Sequence, residues 1–121
     1  LELARVSRAS VVFLSTSRVY PVSPINALNF AQTESRFSFA TDQVTRGASE
    51  HGISEEFPLE GARSLYGASK LCSELLLHEY IDSYGISAVI NRCGVLTGPW
   101  QMGKVDQGVI VLWIAKHHFE Q

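Results

Sequence analysis

The sequence is poor in cysteine, carries little net charge and contains no long apolar run. Its two cysteines, Cys72 and Cys93, have no Cys-x-x-Cys partner and no histidine at ligand spacing, so no zinc site is expected. Both read as buried thiols in a reducing, cytoplasmic compartment. Lys and Arg number 10 against 12 Asp and Glu, for a net charge of -2. Without a broad basic surface, nucleic acid is not an expected partner. The longest apolar run, residues 109–115, is far too short to cross a bilayer, so no membrane partner is expected either. No signal peptide is visible. The first residues, Leu1-Glu2-Leu3-Ala4-Arg5, read as the tail of a helix, which suggests a fragment whose parent protein starts earlier.

What is present fits one domain over residues 1–121. Residues 9–16 (Ala-Ser-Val-Val-Phe-Leu-Ser-Thr) are a short apolar run rich in β-branched residues, without alternation. That favours a strand buried on both faces, as in a parallel sheet under helices. Its end carries Ser15, Thr16 and Ser17, then Arg18, Val19 and Tyr20. Ligands bind just beyond such strand ends in open α/β sheets, so the hydroxyl cluster is either a site or a polar turn. Residues 21–63 are the least regular part and read as a long irregular loop. Within them, Arg36-Phe37-Ser38-Phe39 alternates like a strand.

Ser64-Leu65-Tyr66-Gly67-Ala68-Ser69-Lys70 opens an amphipathic helix that runs to Tyr84, with Ser64 as N-cap and Gly85 just past its end. Leu65, Ala68, Cys72, Leu75, Leu76 and Tyr80 repeat at three and four and read as its buried face, with Glu74 and His78 on others. Tyr66 and Lys70, at i and i+4, share one face. An ammonium this close favours phenolate, which lets a tyrosine exchange protons at working pH; a surface tyrosine and lysine without a role are the bland alternative. Residues 86–91 (Ile-Ser-Ala-Val-Ile-Asn) follow as a second buried strand, which gives strand, crossover helix and strand in a parallel βαβ order. A last segment, residues 107–119, reads as a helix capped by Asp106. The four histidines show no metal-ligand spacing, and Trp100 and Trp113 read first as core or interface anchors. Trp100 follows the Gly98-Pro99 turn at a strand end, which also makes it a candidate for lining a cleft.

Three stretches coincide in chain order: Ser-Thr-Ser-Arg-Val-Tyr ending a strand, Ser-Leu-Tyr-Gly-Ala-Ser-Lys opening a helix, and Asn-Arg-Cys-Gly-Val-Leu-Thr-Gly-Pro leaving the next strand. Together they resemble the extended short-chain dehydrogenase/reductase family, and within it the NAD-dependent nucleotide-sugar epimerases and dehydratases. Gln101 and Asp106-Gln107-Gly108 look most like the branch that includes CDP-paratose (CDP-tyvelose) 2-epimerases. The likeness covers the chain apart from residues 26–49. It implies a partial Rossmann-like α/β unit, NAD as cofactor and a nucleotide-sugar substrate. By residue match, Tyr66 would be the base, Lys70 would hold the nicotinamide ribose, and Thr16 would bond the reacting sugar oxygen. Arg92 and Cys93 would meet the cofactor, and Ser17, Val95, Trp100 and Gln101 would join Thr16 around the substrate.

Three departures from the family pattern qualify what the resemblance implies. Sugar 4,6-dehydratases of the family carry Asp-Glu where this chain has Ser17 and Arg18, which favours an epimerase. The family's Asn and Tyr before Gly-Pro are Val95 and Thr97 here. The pyrophosphate-binding Gly-x-x-Gly-x-x-Gly of the first strand and helix occurs nowhere in the sequence. A half-Rossmann unit leaves an unpaired strand edge, so a homo-oligomer is expected, with that edge and residues 109–115 as its contacts. The alternative to an epimerase is then a non-catalytic oligomeric unit, or a related dehydratase or reductase.

Overall fold

The structure is a computed structural model that describes residues 1–103 and 108–119. In chain order the elements are α1 (Glu2–Ser7), β1 (Val11–Thr16), a 3-10 turn (Ser17–Val19), α2 (Val22–Asn26), β2 (Phe30–Gln32), β3 (Phe37–Phe39), β4 (Ala48–Ser49), β5 (Gly52–Ile53), α3 (Leu65–Tyr84), β6 (Ala88–Cys93) and α4 (Val109–His118). The centre is β1 and β6, paired parallel in a register that runs from Val11 opposite Ala88 to Thr16 opposite Cys93. α3 supplies the crossover between them, as the pattern of apolar segments predicts. This is a mixed α/β unit of the partial Rossmann-like kind.

Both strands differ from the expectation of burial on two faces. β1 alternates, with Val12 at 66% exposure and Leu14 also exposed, and Val89 matches them on β6. Parallel strands are buried on both sides only where helices lie on each, and among the described residues α3 packs on one face.

α3 has the predicted bounds. The Ser64 hydroxyl accepts from the Gly67 amide at 3.1 Å, and Gly85, left-handed at φ 64°, donates to Ile81 at 2.9 Å. Its inward face is not the predicted one. Gly67, Glu74 and Leu77 are buried, while Leu75 and Leu76 are exposed and Leu65 is at 91% exposure. At 100° per residue, Gly67, Lys70, Leu71, Glu74, Leu77 and Ile81 form one stripe; Leu65, Cys72 and Leu76 lie opposite. The helix is leucine-rich on both sides, so apolar spacing alone does not choose the face. The same rotation leaves Cys72 exposed rather than buried, and Cys93, at the end of β6, is half-buried.

Gly67 sets how closely α3 approaches the turn after β1. A Cβ there would stand 2.0 Å from the Arg18 carbonyl oxygen, inside any allowed contact.

The region read as a long irregular loop holds α2 and two short antiparallel hairpins. β3 falls where the alternating Arg36-Phe37-Ser38-Phe39 places it, and the Phe30 and Phe37 rings meet edge-on at 5.7 Å. β4 and β5 carry little sequence signal. Their base needs Gly47 at φ 74°, with Phe57 backbone 2.4 Å from where its Cβ would be. Phe57 itself is buried and meets the Tyr20 ring edge-on at 5.7 Å. The expected last helix is present as α4. Its expected cap, Asp106, and its neighbour Gln107 lie outside the described residues.

Candidate functional site

Tyr66 and Lys70 stand on one flank of α3, a turn apart. The Lys70 ammonium is 6.0 Å from the Tyr66 ring centroid and 5.0 Å from that of Phe13. It donates to the Leu14 carbonyl of β1 at 2.9 Å. An ammonium has three donors, so this bond fixes its position and leaves two for other acceptors. The Tyr66 ring is 51% exposed, open to a ligand. Two residues past Leu14, Thr16 ends β1. Its hydroxyl accepts from the Arg18 amide at 3.3 Å and so caps the 3-10 turn, while its own proton stays free to donate.

Behind this pair runs a buried polar chain that joins three elements. Glu74, 1% exposed, lies one turn past Lys70 on the inward stripe of α3. It accepts a bond from the Ser15 hydroxyl of β1. On its other side the Arg92 guanidinium of β6 donates to Glu74 Oε2 from Nη2 at 2.8 Å and from Nε at 3.1 Å. Arg92 Nη1 continues to the Tyr20 hydroxyl at 3.2 Å. The bond from Glu74 holds the guanidinium proton more tightly than in a free arginine; partial burial opposes this and Tyr20 adds to it. Glu74 is a residue that apolar periodicity hides. Its place four residues after Lys70 is the signal that could have revealed it.

Beyond the carboxyl ends of β1 and β6 opens a cleft of about 960 Å³, lined by Ser17, Arg18, Tyr20, Arg63, Arg92 and Cys93 among others. Of the residues singled out in the sequence, Ser17, Arg92 and Cys93 therefore meet there. Tyr66, Lys70 and Thr16 are not among its described lining and sit on the β1–α3 flank. Val95, Trp100 and Gln101 fall in residues 94–103, which form neither helix nor strand. Gln101 accepts from the Thr97 hydroxyl at 2.8 Å, and Trp100 is 98% exposed at φ 68°. None of the three lines the cleft.

The parallel strand–helix–strand unit of β1, α3 and β6 is of the partial Rossmann-like class. The family model for the NAD dependent epimerase/dehydratase family matches residues 1–121, and the chain belongs to that family. The match includes residues 26–49, which the motifs leave uncovered. A search of curated proteins found no match, and a search of solved structures found none.

Proposed function

We propose that the chain carries the proton-handling site of an NAD-dependent nucleotide-sugar epimerase. The observation that carries this reading is the Tyr66–Lys70 pair, with Lys70 tied to the Leu14 carbonyl at 2.9 Å. Bound NAD would supply the hydride chemistry, oxidation at a sugar carbon and reduction of the keto sugar from its other face. The chain's own residues handle the proton. Tyr66 takes the sugar hydroxyl proton at its phenolic oxygen and returns it on reduction. Lys70 is held a turn away on the same flank, and its two uncommitted N–H donors suit ribose hydroxyls. Thr16 donates to the reacting oxygen. This donor set fits the nicotinamide end of the cofactor. For the pyrophosphate end the sequence offers no Gly-x-x-Gly-x-x-Gly cradle.

Ser17 and Arg18 in place of a dehydratase's acid and base support epimerisation. The CDP-sugar preference rests on Gln101 and on the likeness of Asp106-Gln107-Gly108. The test is Tyr66→Phe in the intact enzyme, followed by NMR of the sugar stereocentre with CDP-sugars and NAD. Turnover is expected to vanish while NAD binding persists; unchanged turnover overturns the assignment.

A second reading follows from the open sheet face of Val12, Leu14 and Val89. A second copy of the chain, laid on that face and on the free edge of β1, would make a non-catalytic oligomer. Light scattering on dilution decides it: a folded monomer rules it out.

A further inference from the structure

The cleft at the strand ends holds three arginines, Arg18, Arg63 and Arg92, against Glu55. Two of the three are engaged within the protein. Arg63 donates to the carbonyls of Val19, Leu59 and Gly61, so it pins the loop before α3. Arg92 is held by Glu74 and Tyr20. Among the described residues the Arg18 side chain has neither a hydrogen bond nor an ion pair, although its backbone is fixed. Its amide is bonded to Thr16 Oγ1 at 3.3 Å, and its carbonyl is wedged where a Cβ on Gly67 would be 2.0 Å away. Arg18 therefore lines a cavity of about 960 Å³ together with Ser17, on a fixed backbone and with no side-chain partner among the described residues.

The local charge differs in sign from that of the whole chain. The net charge is -2, yet this cleft gathers arginines around a single lining carboxylate, Glu55. Low-dielectric walls focus such a field and draw anions in. A guanidinium presents a fork of N–H donors that matches the paired oxygens of a carboxylate or phosphate.

We propose that Arg18 is a specificity residue that binds an oxyanion, phosphate or carboxylate, of the molecule entering this cleft. The assignment rests on the reading that substrate enters at the strand ends, but it concerns binding alone. Arg63, whose partners are carbonyls, strengthens the field; Arg92, neutralised by Glu74, shapes the wall; and Arg18 makes the direct contact. Glu55 opposes anions at the same site and so limits affinity for those that do not reach Arg18.

The experiment is titration calorimetry of the protein at low ionic strength with inorganic pyrophosphate and, separately, with glucuronate. Variants are Arg18→Gln, Arg18→Lys, Glu55→Gln and, as a charge-matched control outside the cleft lining, Arg36→Gln. Arg18→Gln is expected to weaken one of the two anions by about tenfold or more. Arg18→Lys retains part of the affinity, Glu55→Gln tightens it, and Arg36→Gln leaves it unchanged. A loss confined to pyrophosphate assigns the contact to a nucleotide's phosphates; a loss confined to glucuronate assigns it to a carboxylate on the sugar. Equal effects of Arg18→Gln and Arg36→Gln, or no anion binding by the unaltered protein, overturn the proposal. Its failure is distinct from failure of the epimerase reading, which is decided by turnover of Tyr66→Phe.

Discussion

The Glu74 carboxylate on α3 and the Arg92 guanidinium on β6 meet at 2.8 Å, with the carboxylate 1% exposed, and this contact locks the crossover helix to the second strand. A buried pair of this kind is a weak source of net stability, because desolvation of both charges offsets their attraction. Breaking it is another matter, since a surviving Glu74 charge stays buried without its counter-charge.

Arg92→Met should therefore destabilise the fold by about 3–5 kcal/mol. The double variant Glu74→Met with Arg92→Met should recover most of that loss. Urea unfolding of the two single variants and the double variant measures the coupling. Additive losses would mean that the pair does not act as a unit. The pH dependence has a definite sign. Glu74 raises the Arg92 pKa above the usual arginine value. The resulting stability is fully present below that usual value and is lost only as pH rises through the raised one. The pair should thus contribute no change in stability between about pH 7 and pH 10.

Gly67→Ala tests the close approach of α3 to the turn after β1. Helix propensity alone favours alanine by about 1 kcal/mol. The added methyl would lie 2.0 Å from the Arg18 carbonyl oxygen, and backbone cannot step aside cheaply. Overpacking of this sort costs about 1–3 kcal/mol. The expected result is a lower Tm and a displaced Arg18; a stabilised variant would show that the helix and turn are looser than 2.0 Å implies.

The strand–helix–strand order, the bounds of α3 and the Tyr66–Lys70 pair were all legible in the sequence. They depend on local rules: β-branched runs, a serine cap, a glycine stop and the helical repeat. The inward face of α3 was not legible. Leucines occupy both Leu71–Leu77 and Leu65–Leu76 stripes, and the deciding partner of Glu74 is Arg92, eighteen positions later. The two hairpins between α2 and α3 were also hidden, except for the Phe37–Phe39 strand. Their bases depend on Gly47 and on side-chain bonds such as Gln43 to the Asn29 backbone, which no periodicity reports. The cleft was half legible: its place beyond the strand ends follows from a general rule of parallel sheets, whereas the roles of Arg63 and Tyr20 follow from contacts across the chain.

Elimination of water from a sugar needs an acid and a base beside the leaving hydroxyl. Ser17 and Arg18 follow Thr16, and neither supplies such a carboxylate pair. The intact enzyme incubated with nucleotide hexoses and NAD should release no 4-keto-6-deoxy sugar, as read by the keto carbon in NMR. Formation of that product would reassign the chain from epimerase to dehydratase.

The last prediction concerns cofactor affinity of the 121 residues themselves. The family is NAD-dependent, and under the proposed reading Tyr66 and Lys70 would meet the nicotinamide ribose. The heavier part of dinucleotide affinity comes from the pyrophosphate, held by glycine-loop amides at a helix N-terminus. Each charge-assisted hydrogen bond there contributes about 1.5–3 kcal/mol, so lacking two of them lowers affinity by on the order of a hundredfold or more. No Gly-x-x-Gly-x-x-Gly is present to supply those bonds. Lys70 offers two free N–H donors to the ribose, and these cannot replace an anion cradle. Titration calorimetry with NAD should show no saturable binding at micromolar concentration, and Lys70→Ala should change nothing in that range. Micromolar binding would mean that another surface supplies the anion contacts. Arg18→Gln would then test whether the arginine cleft supplies them, because Arg18 lines it without a side-chain partner among the described residues.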